Sequence, residues 1–231
     1  MMLSDRDLHK LAIEQEIVKP YDPARCEGAT INLTLDKTVL KYISNEPITL
    51  GKKVTRNQYR EVDLSGAEFW LQPGESALIQ TNEFIHVPEN MAALVLERFG
   101  VKSLGLIVSP GHYLNPGYRG KITLVAVNNS PVRLQLVAGI EICQLSLIQL
   151  SSNPLKPYGQ QDGKYMDAKD VSISKLHLDE EIQEFLRLKG IQKVSDEMAR
   201  DLGEHLMDHI RRSAKRLADI LREEEGKRKD E

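Results

Sequence analysis

Apolar positions fall into three textures along the chain. Near the start, Leu8, Leu11 and Ala12 repeat at helical spacing behind Ser4, with Asp7 three residues on in a capping-box arrangement. This predicts a short amphipathic helix over residues 4–16, ended by Pro20 and Pro23. From about Ala29 to Leu150 short apolar runs recur, at 31–35, 68–71, 76–79, 93–96, 122–127 and 140–145. Gln72-Pro73-Gly74, Val87-Pro88-Glu89-Asn90, Asn115-Pro116-Gly117 and Asn128-Asn129-Ser130-Pro131 separate them as turns. Many short strands with such punctuation predict a closed or sandwiched antiparallel β-domain. The alternation of Arg133-Leu134-Gln135-Leu136-Val137 gives one face to a core and one to water.

From Leu178 the period becomes helical. Glu180 to Leu188 reads as a helix with Lys189-Gly190 as its stop. Met198, Leu202, Leu206, Ile210, Leu217 and Leu221 then fall mostly at four- or seven-residue spacing, which predicts a long amphipathic helix over about 192–222. Arg200, Glu204, Asp208, Arg211, Lys215 and Asp219 occupy its other face. An isolated helix of that length is only marginally stable, so the apolar stripe is expected to pack on a neighbouring subunit or a separate partner. The segment from Glu223 to Glu231 reads as a frayed, solvated tail. The expected organisation is a β-domain over 1–179 and a helical extension over 180–231.

Composition narrows the function classes. A chain of 231 residues with 41% hydrophobic content supports one good core. A net charge of −3, with bases interleaved among acids, gives no bulk attraction to nucleic acid or to an anionic membrane. No run approaches the ~18 apolar residues needed to cross a bilayer. The polar start, Met1-Met2-Leu3-Ser4-Asp5, does not read as a signal peptide, and the expected location is the cytoplasm. Cys26 and Cys143 lack metal-ligand spacing and read as reduced thiols. His205 and His209 stand four apart on the long helix without the glutamate that follows the first histidine in an H-E-x-x-H motif, and read as an exposed pair.

Several stretches, in order, resemble the dCTP deaminase branch of the dUTPase superfamily. Leu3-Ser4-Asp5-Arg6-Asp7-Leu8 is similar to its start, and Lys19-Pro20-Tyr21-Asp22-Pro23 to the family segment after that start. Gly28-Ala29-Thr30-Ile31-Asn32-Leu33-Thr34-Leu35 is similar to its first strand motif, and Leu71-Gln72-Pro73-Gly74-Glu75 and Val87-Pro88-Glu89-Asn90-Met91 to its mid-domain turns. Asn115-Pro116-Gly117-Tyr118-Arg119-Gly120-Lys121-Ile122-Thr123-Leu124 resembles its active-site hairpin, and Gly139-Ile140-Glu141-Ile142-Cys143-Gln144-Leu145 its late strand. Gly163-Lys164-Tyr165 resembles its C-terminal phosphate segment, and Leu176-His177-Leu178-Asp179 its end. The resemblance implies a distorted jelly-roll, a homotrimer with sites between subunits, deoxynucleoside triphosphate substrates and accompanying Mg²⁺. It implies zinc-free deamination, and the chain indeed lacks an H-x-E followed by P-C-x-x-C.

The same resemblance exposes departures. The family's deaminase glutamate corresponds to Val125, which cannot take a proton from water. The hairpin aspartate corresponds to Asn115 and the first-strand aspartate to Asn32, both neutral amides. Asn115 is either a sugar contact or simply a turn former. The phosphate-gripping Arg-Ser-Ser-Leu loop corresponds to Arg98-Phe99-Gly100-Val101, with Lys102 a candidate replacement cation. Lys164 and Tyr165 match the triphosphate-binding pair, but the glutamine beyond them is Ala168. Gln144 matches the strand glutamine. Arg98, Lys102, Asn115, Gly117, Tyr118, Gln144, Tyr158, Lys164 and Tyr165 are therefore the candidate substrate-binding residues, and none is a confident catalytic group. Glu97, Asp63 and Glu141 are the candidate substitute bases. The expected function is a trimeric deoxynucleotide-binding protein with weak or no deaminase activity. The alternative is an active dCTP deaminase, or a dUTP or dNTP pyrophosphatase, working through substitute residues.

Overall fold

The computed structural model describes residues 1–231 apart from 109–111, 162, 192–195 and 228–231. In chain order it contains α1 (Asp5–Glu14), β1 (Val18–Lys19), β2 (Cys26–Glu27), β3 (Thr30–Thr34), β4 (Thr38–Tyr42), β5 (Tyr59–Asp63), β6 (Phe69–Leu71) and β7 (Ser76–His86). After these come β8 (Met91–Glu97), the single-turn α2 (Phe99–Lys102), β9 (Leu106–Val108), β10 (His112–Leu114), β11 (Arg119–Asn128), β12 (Leu134–Leu136) and β13 (Glu141–Gln149). Two further helices close the chain, α3 (Glu180–Leu188) and α4 (Asp196–Lys227). Two compact units result. The first is Met1–Asn45, Thr55–Tyr158 and Tyr165–Ile173; the second is Glu46–Val54, Gly159–Lys164 and Ser174–Glu231.

The strands of the first unit pair antiparallel, as short alternating runs require. One sheet has the order β5-β4-β7-β11-β9, with β1 also on β7; another has the order β10-β8-β13-β3-β2; β12 and β6 form a small ribbon. This is the two-sheet arrangement expected of a jelly-roll. The inward positions of both sheets, including Ile79, Ile122 and Leu124 from one and Ile31, Leu33 and Leu145 from the other, are 2% exposed or less and form one core. The pairing register shifts between β13 and β3, at Glu141 to Cys143, and again between β7 and β11. Between the β7–β11 pairs Lys121↔Phe84 and Thr123↔Gln80, β7 advances further than β11, a bulge spanning Thr81 to Glu83. The Thr81 hydroxyl fills the interrupted ladder by accepting from the Ile122 N–H at 3.1 Å. α1 starts where expected, but Ser4 makes no side-chain cap; its hydroxyl donates to Asp7 instead, at 3.5 Å. A short aspartate at that position engages the hydroxyl rather than the helix start.

In the second unit α3 lies over Gly51. A Cβ there would stand 2.6 Å from Ile182 and 2.8 Å from Leu186, and φ is +90°, so both space and backbone require glycine. Gln183, 8% exposed, donates to the Gly51 carbonyl at 2.9 Å. Gly190, with φ +67°, ends α3 as expected. α4 runs through Lys227, so the segment from Glu223 is helical rather than a frayed tail up to that point. Its glutamates stand at helical spacing ahead of basic residues, a pattern that supports continued helix. Leu206, Ile210 and Leu217 are half or more exposed on this chain, and Leu202 is half-buried. The side chains of Met198 and Leu221, also of the predicted stripe, lie outside the described residues.

Candidate functional site

The hairpin turn folds as its sequence dictates. The Asn115 carbonyl accepts from the Tyr118 N–H at 3.0 Å, Pro116 takes the second position, and Gly117 the third with φ +79°, a type II turn. The Pro116 carbonyl accepts from the Tyr158 N–H at 2.7 Å, which ties the later segment to the turn. A Cβ on Gly117 would come within 3.3 Å of Pro157. The Tyr118 and Tyr158 rings lie 5.6 Å apart, and the Tyr158 hydroxyl accepts from the Tyr165 N–H at 3.3 Å. Five predicted residues, Asn115, Gly117, Tyr118, Tyr158 and Tyr165, therefore meet at this turn. Tyr118 is 7% exposed, and its hydroxyl donates to the Lys121 carbonyl at 3.0 Å. Burial, reinforced by Tyr158, pushes its phenol pKa well up. It supports the turn as a packed, neutral ring.

The strand beyond the turn carries the position of the family's base. β11 sends Arg119, Lys121, Thr123, Val125 and Val127 to its outer face and Gly120, Ile122, Leu124 and Ala126 inward. Val125 is 40% exposed and pairs with Leu78 of β7, so the spot is apolar on both strands. Of the candidate substitute bases, Glu97 pairs with Lys102 at 2.6 Å. Glu141 pairs with Arg98 and lies 3.7 Å from Arg25. Asp63 accepts from the Ser65 N–H at 2.8 Å, which holds its carboxyl below the ordinary value, and it lies 3.7 Å from Lys37. All three are committed elsewhere.

One polar group on this face was not anticipated. Asp36, 9% exposed, pairs with Lys121 at 2.8 Å and accepts from the Gln80 amide. Gln80 is directly opposite Thr123 and 2% exposed; its amide nitrogen also donates to the Lys169 carbonyl, and its oxygen is buried without a hydrogen-bond partner. Burial works against the Asp36 charge, but Lys121, Gln80 and the Lys37 N–H outweigh it and hold the carboxyl below its ordinary pKa. The adjoining segment is fixed alongside: the Ala168 carbonyl accepts from the Lys121 N–H at 2.8 Å, and the Thr123 hydroxyl from the Ser172 N–H at 2.8 Å. Alternation places Lys121, Thr123 and Val125 on one face in the sequence alone, but nothing there names Asp36 as their neighbour.

The remaining candidates make other contacts. Gln144 donates to the Asn32 side-chain oxygen at 3.0 Å and to the Thr30 hydroxyl at 3.1 Å on the other sheet, where Asn32 serves as its acceptor. Arg98 belongs to a charged network: Arg25 reaches Glu83 at 3.4 Å as well as Glu141. Glu83, 2% exposed, accepts from the Thr34 N–H at 2.9 Å and the Thr34 hydroxyl at 2.6 Å. Beneath this network burial pushes the Cys143 thiol up to about 12, which suits an inert core thiol. Lys164 belongs to the second unit, where it pairs with Asp179.

Among the described residues no three His, Cys, Asp or Glu side chains converge, and positions 32 and 115 offer amides. Among those residues the side chains do not fit a protein-held Mg²⁺. No helix among the described residues is long and apolar enough to cross a membrane.

Comparison with known proteins agrees with the fold described above. A family model described as dCTP deaminase-like matches residues 2–150. The chain is 30% identical over 184 residues to a dUMP-forming dCTP deaminase of Aquifex aeolicus, covering 79% of this chain and 99% of that protein. It is 35% identical over 169 residues to the dUMP-forming dCTP deaminase of Thermobifida fusca, covering 70% and 84%. Among solved structures, the 2′-deoxycytidine 5′-triphosphate deaminase of Agrobacterium tumefaciens superposes with a TM-score of 0.52 at 18% identity, over 63% of this chain and about half (47%) of that one, a likeness of fold. Fold, ordered motifs and relatives together place this chain in the dCTP deaminase-like family.

Proposed function

We propose that the protein is a deoxynucleotide-binding member of this family, assembled as a homotrimer, with little or no dCTP deaminase activity. One observation carries the proposal. The β11 position given to the base by the resemblance is Val125, facing Leu78, and the acids considered as substitutes are bound into ion pairs or a turn. General-base catalysis is worth roughly 10²–10⁴-fold, and a valine offers none of it. The intact Asn115–Tyr118 turn, with Tyr158 and Tyr165 against it, supports retained binding. The test is incubation of the purified protein with each deoxynucleoside triphosphate and Mg²⁺, analysed for deaminated base, pyrophosphate and monophosphate, alongside calorimetric titration. Binding without turnover is expected; dCTP deamination on the order of 1 s⁻¹ or faster overturns the proposal.

Asp36 favours a second reading, turnover of a triphosphate through a rebuilt site. It is a buried carboxylate paired with Lys121 of β11. Under that reading Asp36→Asn abolishes whatever pyrophosphate release the protein shows, whereas a binding protein shows none to abolish.

A further inference from the structure

α4 packs on its own unit along one side. Asp201 holds Lys53 at 2.6 Å, and Arg212 donates to the Gly163 carbonyl at 3.2 Å; these two residues, with Leu202 and His205, are half-buried. Spacings of three and four carry a second, apolar side through Gly203, Leu206, Met207, Ile210, Ala214 and Leu217. Its four large side chains are half or more exposed, and a Cβ on Gly203 would meet nothing within 4 Å. The charge along the helix is divided. Residues 196–208 hold five acids and one base, and residues 209–222 hold five bases and one acid. The exposed edge follows that division, with Glu204 and Asp208 ahead of Arg211, Lys215 and Arg222, and Arg200 as its exception. Asp208 and Arg211 meet at the junction, 3.5 Å apart. A partner helix of the same sequence running the same way would set acid on acid and base on base; one running the opposite way sets each half on its opposite. The helix is thus complementary to a reversed copy of itself.

We propose that the apolar side of α4 is a self-association surface, on which α4 of a second copy of this chain lies antiparallel. Leu206, Met207, Ile210 and Leu217 supply the apolar seam, Gly203 and Ala214 let the two backbones approach, and the divided charge fixes the direction. Such a contact is isologous, each patch meeting the same patch on the other chain. It joins two chains through α4 however many the β-domain gathers, and it does not depend on the nucleotide-binding reading. One helix against one helix is small beside a stable interface, so the pairing is weak and grows with concentration.

Sedimentation equilibrium follows the mass of the full-length protein from about 5 to about 500 µM, the range in which weak interfaces equilibrate. The variants are Ile210→Asp, Glu204→Lys with Asp208→Lys, and a chain that adds Arg211→Glu and Lys215→Glu to that pair. All the changed positions are exposed, and circular dichroism checks that each variant is folded. The mass of the unmodified chain is expected to rise with concentration and to fall back when salt screens the opposed charges. Ile210→Asp and the double reversal each weaken the association about tenfold or more, and the fourfold reversal recovers much of it because complementarity returns with the signs exchanged. A mass that stays constant to the highest concentration overturns the proposal and leaves the face to a different protein. Association that survives Ile210→Asp lies on another surface and overturns it as well. Association lost in Ile210→Asp but unmoved by salt and by both reversals overturns the antiparallel pair.

Discussion

Glu83→Leu probes how the two sheets are held together. The native carboxylate is 2% exposed and accepts two hydrogen bonds from Thr34, one from the backbone and one from a hydroxyl on a residue that is itself 1% exposed. Leucine fills a comparable space but accepts nothing, so two buried donors lose their acceptor. Each orphaned donor costs about 1–3 kcal/mol. Burial of the new apolar surface returns about 1–2 kcal/mol of the sum. A net loss of about 3 kcal/mol is expected, and for a chain of this length that lowers Tm by about 6–12 °C. Arg25 also loses one acceptor, keeping Glu141 and Asp22, the latter at 3.4 Å. Glu83→Gln keeps one acceptor oxygen and should fall part of the way. Thermal melts followed by circular dichroism measure both. The decisive variant adds Thr34→Val to Glu83→Leu: it removes the orphaned hydroxyl, so the double mutant should be more stable than Glu83→Leu alone. A drop below about 2 °C for Glu83→Leu, or no recovery on adding Thr34→Val, refutes the reasoning.

Four further outcomes are expected. Val125→Glu alone does not bring dCTP deamination to ordinary rates, on the order of 1 s⁻¹, because Asn115, Gly100 and Ala168 also depart; a chromatographic assay showing such turnover would contradict this. Asp36 has a folded pKa below its ordinary value, so its contribution to stability is complete above about pH 4 and fades as pH falls through the depressed value. The stability gap between wild type and Asp36→Asn, read from urea midpoints at several pH values, should therefore close in acid, and a gap independent of pH would refute the assignment. Light scattering at micromolar concentration is expected to report a trimer, and a stable monomer would remove the basis for sites shared between subunits. Ile210→Lys with Leu217→Lys, at positions 50% and 59% exposed, should shift Tm only slightly yet remove a partner or a subunit contact captured by α4; unchanged mass and binding would make that stripe inert.

Periodicity made much of the fold legible. Leu8, Leu11 and Ala12 announced α1, the 180–188 pattern matched α3 to the residue, and the widely spaced leucines announced α4. The short runs at 31–35, 93–96 and 122–127 fell within or against β3, β8 and β11. β7 was cut short in the sequence because Thr81 and Glu83 are polar yet buried, and a polar pair reads as the end of a strand. Their acceptors and donors come from β3 and β11, far along the chain, so no local signal could place them. The site divides the same way. Asn115, Pro116 and Gly117 encode their own turn, whereas Tyr158 and Tyr165 entered only through the family resemblance of their segment. Which acid each cation would choose was not legible: Arg98 went to Glu141, Lys102 to Glu97 and Lys164 to Asp179 through three-dimensional proximity. Nor did the sequence single out Asp36, whose partner Lys121 lies 85 residues further along the chain.

The bulge in β7 divides that strand into two mechanically separate halves. Residues 84–86 are zipped to β1 and to the first residues of β11, while residues 76–80 are zipped to the rest of β11 and, through Leu78, to β4. Between them the ladder is carried by the Thr81 hydroxyl in place of a backbone carbonyl. A crack can start at the turn end, peeling Arg119–Lys121 from Phe84–His86, and stop at Thr81 without reaching Thr123. The pairing next to the turn that gathers Asn115, Tyr118, Tyr158 and Tyr165 is thus separate from the pairing that holds the half of β11 bearing Val125.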